Sequence, residues 1–434
     1  IIFSEPGVYE ISVQVTAGNC PVDTYTDTIV VEGPPSVNID VNGESSDQVC
    51  LDSVSNSQPH QINFSSQYVP AYSNDTGNNG QSYNFPSQFL WEISGDGITT
   101  NDYSFVNGSS DSDPYPVIDF YSFGDYIITT TVTGDCGVSD SNTFAYSINE
   151  IPSITNPDSD FQQTLCSAES TDLIEFQSSM ENTTFTWSYS SADTYLSGYN
   201  SQTSNTGNLL PQQIFNSNNI SGQVIFQVTP STEDCEGETR SITITVNPVP
   251  SIENIEQEVC TGSGIAITPS DGTIPSGTTY SWDAPTSSPS GAITGGNSGT
   301  DETTITESEL LNSTNSPAVL TYTVTPTTPD GCTGDPFTVS VTVNPLGQVD
   351  NPGDQEFCNN DNISINFTTD NTGGDTTYSW TNTNSAIGLS SSGSGNINVT
   401  ATNTTNDPIT SSVTVTPSFE GCEGTPQTFT ITVN

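Results

Sequence analysis

The sequence predicts an all-β protein made of tandem β-sandwich repeats. Its apolar residues fall in short alternating runs rich in Val, Ile, Thr, Tyr and Phe, which is typical of strands. Cysteines and tryptophans recur in one order along the chain, and a proline follows the last strand-like run of each unit. The hydrophobic content of 31% would also fit a disordered chain. Regular alternation argues against disorder, and no helical periodicity is present.

The charge composition excludes several classes of partner. The 434 residues include 51 Asp and Glu but a single arginine, Arg240, and a single histidine, His60, so that the formal net charge is −50. A surface without basic patches cannot release counterions from phosphates, and we therefore expect no binding to nucleic acid or anionic lipid. No apolar run reaches 18 residues, so we expect no direct membrane insertion.

Cysteine and tryptophan define the repeat. Four sets follow the order Cys, Trp, Cys: Cys50/Trp91/Cys136, Cys166/Trp187/Cys235, Cys260/Trp282/Cys332 and Cys358/Trp380/Cys422. An aromatic residue lies two positions before each tryptophan, which predicts that all four tryptophans lie in sandwich cores. Cys20 is left over and resembles a second cysteine whose partner precedes Ile1. Both chain ends lie in strand-like runs, so we expect a longer parent protein.

Two alternating runs flank each second cysteine and predict a β-hairpin. The runs before it are 9–16, 126–133, 224–230, 320–326 and 411–417. The runs after it are 28–32, 143–149, 241–247, 337–344 and 429–434.

Prolines after these hairpins set the predicted boundaries, because a proline ends strand pairing and stiffens a connection. We predict the tail of a preceding repeat at 1–33 and four repeats, named I to IV, at 34–150, 151–248, 249–345 and 346–434. Linkers this short should stack the repeats into an elongated, semi-rigid filament.

The spacing of the cysteines predicts one disulfide inside each repeat, joining its first strand to its last hairpin: Cys50–Cys136, Cys166–Cys235, Cys260–Cys332 and Cys358–Cys422. Closing loops of about 64 to 86 residues would contribute roughly 4 kcal/mol each. Disulfides would place the protein in an oxidising compartment outside the cytoplasm. Free structural cysteines and zinc sites are alternatives. The recurrence of the same cysteine order in four repeats argues against free cysteines, and the absence of ligand histidines argues against zinc.

The chain offers little for catalysis, and we predict no enzyme. His60 is the sole histidine, and we interpret it as a solvated loop residue rather than part of a triad. No pair of acids recurs at the same place in each repeat, so solvated surface acids are favoured over a glycosidase pair. No cofactor is expected except calcium, for which Asp96, Asp111 and Asp113 in repeat I are weak candidates. Asn-x-Ser/Thr triplets are frequent in a chain of this composition, so glycosylation is only weakly indicated, for example at Asn63, Asn107, Asn182, Asn312 and Asn398.

The hairpin sequences resemble a known family. Gly124-Asp125-Tyr126-Ile127 resembles the penultimate strand of PKD domains, and the runs 322–326, 331–334 and 341–345 resemble PKD-like repeats of giant Bacteroidota surface adhesins. The resemblance covers nearly the whole chain and extends to SprB-type gliding-motility adhesins of flavobacteria. It implies an adhesive filament exported by type IX secretion and attached to the outer membrane. The partners implied are an external surface or polysaccharide and, through other parts of the parent chain, the motility and secretion machinery of the outer membrane.

Repeat I departs from this pattern because a long insertion separates Cys50 from Trp91 and because the exit reads Asn149-Glu150-Ile151-Pro152. The alternative function is a polysaccharide-binding array. Its candidate aromatic platform is Tyr68, Tyr72 and Tyr83 of the insertion.

Overall fold

The computed structural model describes the chain except residues 5–6, 17, 19–21, 32–35, 43–46, 70–87, 135–136 and 138. The described residues form 36 β-strands and two short 3-10 helices, and they contain no α-helix. Neither helix is long and apolar enough to cross a membrane. The all-β prediction is confirmed.

A two-stranded hairpin precedes the first complete repeat. It pairs β1 (Gly7–Val15) antiparallel with β2 (Asp23–Val31). This is the hairpin predicted for the tail at 1–33.

Repeat I is a sandwich of two four-stranded sheets. One sheet has the order β4-β10-β9-β6 and the other the order β3-β5-β8-β7. The strands are β3 Ser36–Asn42, β4 Gln48–Leu51, β5 His60–Val69, β6 Gln88–Ser94, β7 Tyr103–Val106, β8 Val117–Phe120, β9 Gly124–Thr133 and β10 Ser139–Glu150.

Repeat II contains a five-stranded sheet, β11-β17-β16-β12-β14, and the small pair β13-β15. A 3-10 helix at Asp158–Phe161 leads into the first strand. The strands are β11 Gln162–Cys166, β12 Thr184–Ala192, β13 Leu196–Ser197, β14 Asn205–Thr206, β15 Phe215–Asn216, β16 Gly222–Ser231 and β17 Arg240–Asn247.

Repeat III contains a six-stranded sheet, in which β23 joins the order β19-β28-β27-β22-β25 through β27. The sheet β20-β26-β24 and the pair β18-β21 complete it. The strands are β18 Ser251–Ile252, β19 Ile255–Cys260, β20 Ser263–Ile267, β21 Gly272–Thr273, β22 Thr279–Trp282, β23 Thr286–Ser288, β24 Ile293–Thr294, β25 Gly299–Glu302, β26 Ile305–Asn312, β27 Ala318–Thr327 and β28 Phe337–Asn344.

Repeat IV has the same plan, with a sheet β29-β36-β34-β31-β32, β35 beside β34, and the pair β30-β33. A 3-10 helix lies at Ser385–Ile387. The strands are β29 Gln355–Phe357, β30 Asn362–Ile365, β31 Thr376–Asn382, β32 Ser392–Ser394, β33 Ile397–Thr400, β34 Ile409–Phe419, β35 Cys422–Glu423 and β36 Gln427–Val433.

One strand arrangement is common to the four repeats. A leading strand (β4, β11, β19 or β29) runs parallel to a closing strand (β10, β17, β28 or β36), and the closing strand pairs antiparallel with its hairpin partner. We call the end of a repeat where the chain enters its proximal pole and the end where its closing strand finishes its distal pole. The predicted hairpins are confirmed, and all strand pairs of the described residues join strands of one predicted repeat.

The four tryptophans, Trp91, Trp187, Trp282 and Trp380, are buried in the sandwich cores. In repeats III and IV the indole rings lie against glycines of a neighbouring strand. A Cβ on Gly299 would stand 2.4 Å from Trp282, and one on Gly393 would stand 2.2 Å from Trp380. The small residue on the neighbouring strand therefore makes room for the ring.

Three of the four indole N–H groups donate to backbone carbonyls, which satisfies the polar edge of a buried ring. The donor–acceptor distances are 2.9 Å from Trp91 to Asp113, 2.9 Å from Trp282 to Asn297 and 3.1 Å from Trp380 to Gly395.

Trp187 of repeat II departs from the setting shared by the other three tryptophans. Its ring is 5% exposed and meets Phe226 edge to face, with 5.7 Å between ring centres, so it belongs to the core. Its indole N–H, however, has no hydrogen-bond partner among the described residues. Trp187 is paired with Asn205 rather than with a glycine, and the Asn205 side-chain amide is also a buried donor without an acceptor. The sequence pattern thus predicted the burial of Trp187 but not the absence of a partner for its indole N–H.

Candidate functional site

Three disulfides join consecutive repeats, and none of them lies inside one repeat. Cys50 bonds to Cys235, with 5.8 Å between their Cα atoms. Cys166 bonds to Cys332 at 5.6 Å, and Cys260 bonds to Cys422 at 5.5 Å. Each bond therefore links the first cysteine of one repeat to the second cysteine of the next. The predicted pairing within each repeat is wrong for these six cysteines.

The strand directions explain this correction. The first cysteine ends the leading strand beside the last residues of the closing strand, as in the register pairs Cys166↔Asn247 and Cys260↔Asn344, so it lies at the distal pole. The second cysteine lies in the hairpin turn before the closing strand begins, at the proximal pole. A closing strand of eight residues separates the two poles by about 25 Å. A disulfide requires Cα atoms within about 7 Å, so only the poles of neighbouring repeats can be joined.

Three cysteines remain, and the structure describes one of them, Cys358. Cys358 occupies the first-cysteine position of repeat IV and is a free, exposed thiol, so the predicted bond from Cys358 to Cys422 is also wrong. Cys136 and Cys20 lie outside the described residues. The observed bonds span 185, 166 and 162 residues. Closing a loop of that length stabilises the folded state by about 5 kcal/mol in the chain-entropy model.

In repeats II to IV, a glycine two residues after the second cysteine lets the hairpin turn pack against the linker that enters the same repeat. A Cβ on Gly237 would stand 1.9 Å from the carbonyl oxygen of Pro152, and one on Gly334 would stand 2.0 Å from that of Pro250. The corresponding distance from Gly424 to the Gly347 carbonyl is 1.6 Å. The Cys-x-Gly pattern of the sequence therefore serves the junction, because no larger residue fits between turn and linker.

An asparagine organises the distal pole in repeats II to IV, and sequence reasoning missed it. It is half-buried in repeats II and III and buried in repeat IV. In repeat III, the Asn312 side-chain amide donates to the carbonyls of Ser316 and Val343, both at 2.7 Å, while its oxygen accepts from the Thr314 N–H at 2.9 Å. The Asn312 N–H donates to the side chain of Thr261, the residue after the first cysteine, at 2.9 Å. This cage ties the cysteine to the last residues of the closing strand.

The same cage recurs at two other positions. Asn216 donates to Ile220 and Val246 and is held by Ser167. Asn403 donates to Asp407 and Val433 and is held by Asn359. The signal in the sequence is the run Asn-[Ser/Thr]-[Asn/Thr]-Asn at 216–219, 312–315 and 403–406. At Asn312 this run also forms a glycosylation triplet, but both amide hydrogens are used inside the fold.

The junction between repeats III and IV carries direct hydrogen bonds beside its disulfide. The loop that follows Asn312 presents Asn315, whose carbonyl accepts from the Thr372 N–H at 3.0 Å and whose side chain accepts from Gln348 at 2.9 Å. The hydroxyls of Ser316 and Thr372 are 2.6 Å apart. The distal pole of repeat III thus docks on the proximal pole of repeat IV through polar contacts as well as through the disulfide.

The calcium candidates of repeat I serve local structure. The Asp111 carbonyl accepts from the Trp91 N–H at 2.8 Å, and the Asp113 carboxylate accepts from the Tyr115 N–H at 2.9 Å. Asp96 lies in the turn after β6. Within the described residues, no group of three or more His, Cys, Asp and Glu side chains could hold a metal ion. Calcium binding at Asp96, Asp111 and Asp113 stays a prediction.

His60 and Arg240, the single histidine and the single arginine of the chain, each make contacts inside the fold. His60 begins strand β5 rather than a loop, and its Nε2 lies 2.9 Å from the Tyr146 hydroxyl, so its interpretation as a solvated loop residue is wrong. Arg240 pairs with Asp158, donates to the Asn156 carbonyl at 3.1 Å and lies 4.2 Å from the Phe161 ring centre. It thereby fixes the 3-10 helix of repeat II to the closing strand.

The proposed polysaccharide platform falls outside what the structure describes. Tyr72, Tyr83 and the rest of the insertion at 70–87 are outside the described residues, as is the side chain of Tyr68.

Comparison with known proteins identifies the repeat type. Residues 163–250 and 257–347 match the model of the PKD-like domain. A comparison with curated protein sequences finds no match.

Solved structures that the chain matches include an I-band fragment of titin, I67–I69, at 11% identity and a TM-score of 0.38, covering 72% of this chain and 99% of that one. The human desmocollin-1 ectodomain is 13% identical with a TM-score of 0.27, covering 89% and 79%. Drosophila N-cadherin EC1-4 is 11% identical with a TM-score of 0.26, covering 82% and 93%. The chain is a tandem array of β-sandwich repeats, of which repeats II and III match the PKD-like domain.

Proposed function

We propose that this chain is a structural segment of an extracellular adhesive filament whose junctions between repeats are reinforced by disulfides. The observation that carries the proposal is the shared register of Cys50–Cys235, Cys166–Cys332 and Cys260–Cys422, which gives each pair of neighbouring repeats a second covalent connection besides the linker. Two connections at one junction resist both bending and separation. A protein whose role is to hold its repeats in line under load needs this property.

The strand order supports a load-bearing role. The chain enters a repeat through the leading strand and leaves through the parallel closing strand. When the disulfides are reduced, tension on the two ends therefore shears the ladder between these strands. In repeat III this ladder extends over six register pairs, from Ile255↔Val339 to Cys260↔Asn344. Shear loads these pairs together, whereas peeling would break them one at a time.

The disulfides also limit extension once a repeat has unfolded. With the three bonds intact, the shortest covalent path from Ile1 to Asn434 runs over 1–50, 235–260 and 422–434, and it bypasses 51–234 and 261–421. When all repeats are unfolded, the residues of this short path carry the tension, and the bypassed residues do not extend. The end-to-end length of such a filament would therefore change little when one repeat unfolds.

The surface composition fits the outside of a cell. A formal charge of −50 on 434 residues makes neighbouring copies repel one another, so filaments of this composition stay separate. Disulfides require an oxidising compartment. We propose that the parent protein is a gliding-motility adhesin, exported by type IX secretion and held at the outer membrane, which binds an external surface or polysaccharide through other parts of its chain.

The test uses beads coated with antibodies against this segment, added to living cells that produce the parent protein. We expect beads to bind intact cells and to travel along them. Beads that bind without moving would refute the motility role and leave a static filament. Beads that fail to bind intact cells, while binding the segment after lysis, would refute the surface location.

A matched pair of cells tests the role of the disulfides. One strain carries Cys166→Ser with Cys332→Ser, which removes the bond between repeats II and III, and the control strain carries Ser201→Ala at an exposed position of repeat II. We expect equal surface amounts in both strains but fewer cells retained under shear flow in the first. Equal retention would refute a load-bearing role for this bond.

A further inference from the structure

At the junction between repeats III and IV, the structure shows which surface covers the distal pole of a repeat. The loop of repeat III, Asn312-Ser313-Thr314-Asn315-Ser316-Pro317, contacts repeat IV through Asn315 and Ser316. Its first cysteine, Cys260, is bonded to Cys422 in the hairpin turn of repeat IV. The occupant of this pole is therefore the proximal pole of a repeat of the same kind.

The distal pole of repeat IV is built in the same way. Its loop reads Asn403-Thr404-Thr405-Asn406-Asp407-Pro408, which matches the loop of repeat III at four of six positions. The Asn403 cage repeats that of Asn312 contact by contact, with donation to Asp407 at 3.0 Å and to Val433 at 2.9 Å. Residues 404–408 are exposed, whereas Ser316 and Pro317 at the occupied pole are half-buried.

Cys358 is held in the geometry of the bonded cysteines. Its N–H donates to the Asp361 carboxylate at 2.8 Å, as the Cys166 N–H donates to Glu169 at 2.8 Å. The N–H of the next residue, Asn359, donates to the Asn434 carbonyl at 3.0 Å, as Thr261 donates to Asn344 at 2.8 Å. Cys50, Cys166 and Cys260 occupy the equivalent position, are half-buried, and each bond to the following repeat.

We propose that the distal pole of repeat IV is a docking surface for the proximal pole of another PKD-like repeat joined in tandem, with Cys358 as the site of the covalent bond. The partner presents a hairpin turn with the Cys-x-Gly pattern against its own linker. Asn406 and Asp407 contact the proximal pole of the partner repeat in the way that Asn315 and Ser316 contact repeat IV. This proposal depends on the geometry of the poles and not on the adhesive role.

The bond forms by thiol–disulfide exchange. The thiol of Cys358 and the thiol of the partner's turn lose two protons and two electrons and become one disulfide. A second disulfide, such as oxidised glutathione or that of an extracytoplasmic oxidoreductase, accepts them and becomes two thiols.

The test extends the full chain directly after Asn434 with a second copy of residues 345–434, which reproduces the step from Asn344 to Pro345. The appended copy carries Thr425→Ser, an exposed mass mark beside the turn. It also carries Cys358→Ser, so that the extended chain holds a single Cys358. After refolding in reduced and oxidised glutathione, chymotryptic peptides are mapped without reduction. We expect Cys358 linked to the marked turn peptide, Cys260 linked to the unmarked one, and alkylation of Cys358 reduced at least tenfold.

A second chain carries residues 248–345 after Asn434 instead, so that the test does not depend on the folding of one appended repeat. Hydrogen exchange reports the folding of the appended strands and the protection of residues 404–408. We expect these amides to exchange at least tenfold more slowly in both extended chains than in the original. A folded appended repeat with Cys358 still fully alkylated, or with unprotected amides at 404–408, would overturn the proposal.

Discussion

The Cα atoms of Cys166 and Cys332 lie 5.6 Å apart although the two residues belong to consecutive repeats and are 166 positions apart in the chain. This contact crosses the junction between repeats II and III, where the linker already makes one covalent connection. The same relationship holds for Cys50 with Cys235 and for Cys260 with Cys422. The function proposed for the chain rests on this repeated geometry.

The first prediction concerns the connectivity itself. Because the chain has a single basic residue, trypsin would leave it nearly intact, and peptides from chymotrypsin or pepsin serve instead. We expect unreduced digests of alkylated protein to contain peptides linked as Cys50–Cys235, Cys166–Cys332 and Cys260–Cys422. Peptides linking Cys166 to Cys235 or Cys260 to Cys332 would contradict the structure.

The second prediction concerns extension under force, measured by pulling single molecules through tags at both ends. The shortest covalent path holds 89 of 434 residues, so full unfolding should stop at about 300 Å when oxidised and about 1,500 Å when reduced. Removing Cys50 and Cys235 by serine substitution lengthens the path to about 250 residues, or about 900 Å.

The matched control for extension removes Cys166 and Cys332. Their bond lies off the shortest path, so the final length should remain about 300 Å. A longer final extension in this control, or an unchanged one in the Cys50/Cys235 variant, would show that the connectivity differs from that described.

The third prediction compares two glycines that flank Cys332. Gly334→Ala would place a Cβ 2.0 Å from the Pro250 carbonyl, and we expect a loss of roughly 3 kcal/mol in the stability of repeat III. Gly331 has a φ of +84° but open space around it, so Gly331→Ala should cost only about 1 kcal/mol. Hydrogen exchange of β27 and β28 under reducing conditions measures both. Equal effects would mean that linker contact plays no part.

The fourth prediction concerns alkaline pH. Burial, and after it the neighbouring Glu307 carboxylate, raises the pKa of Tyr322 far above its usual range. The Tyr322 hydroxyl donates to Glu307 at 3.1 Å, and Glu307 is itself buried and accepts from Asn297. The folded state therefore favours the neutral phenol. Its stabilising contribution is fully present below about pH 10, the ordinary tyrosine pKa, and is lost as the pH rises toward the folded value.

A titration of phenolate absorbance tests this assignment. The wild-type protein should show tyrosines that ionise only as the fold opens, and Tyr322→Phe should remove one of them. At neutral pH the same variant should lose about 1 to 3 kcal/mol, because Glu307 loses a buried donor. Tyr25 is exposed, so Tyr25→Phe provides the control and should leave both the late phase and the stability unchanged. An unchanged late phase in Tyr322→Phe would refute the assignment.

The strands and cores could be predicted because they depend on local pattern. Alternation from 318 to 327 and from 337 to 344 indicates two strands, and the turn between them forces an antiparallel pair. The same alternation predicted that Trp187 is buried, but it could not show that the Trp187 N–H lacks the carbonyl partner found at the other three tryptophans.

The asparagine cage was harder to predict than the strands. Asn312 looks like any polar loop residue until its amide is seen between the Ser316 and Val343 carbonyls. Those two acceptors come from different parts of the chain, so no local sequence pattern predicts them.

By itself, the sequence determined the all-β class, the phase of the repeats, the buried tryptophans and the hairpin around each second cysteine, because these follow from side-chain periodicity and turn residues. Only the tertiary structure decided which cysteines bond. The parallel pairing of leading and closing strands puts Cys260 and Cys332 at opposite poles of repeat III, while stacking brings Cys260 to Cys422. Covalent partners are chosen by distance in space, and a spacing along the chain carries no information about which pole of a sandwich a residue occupies.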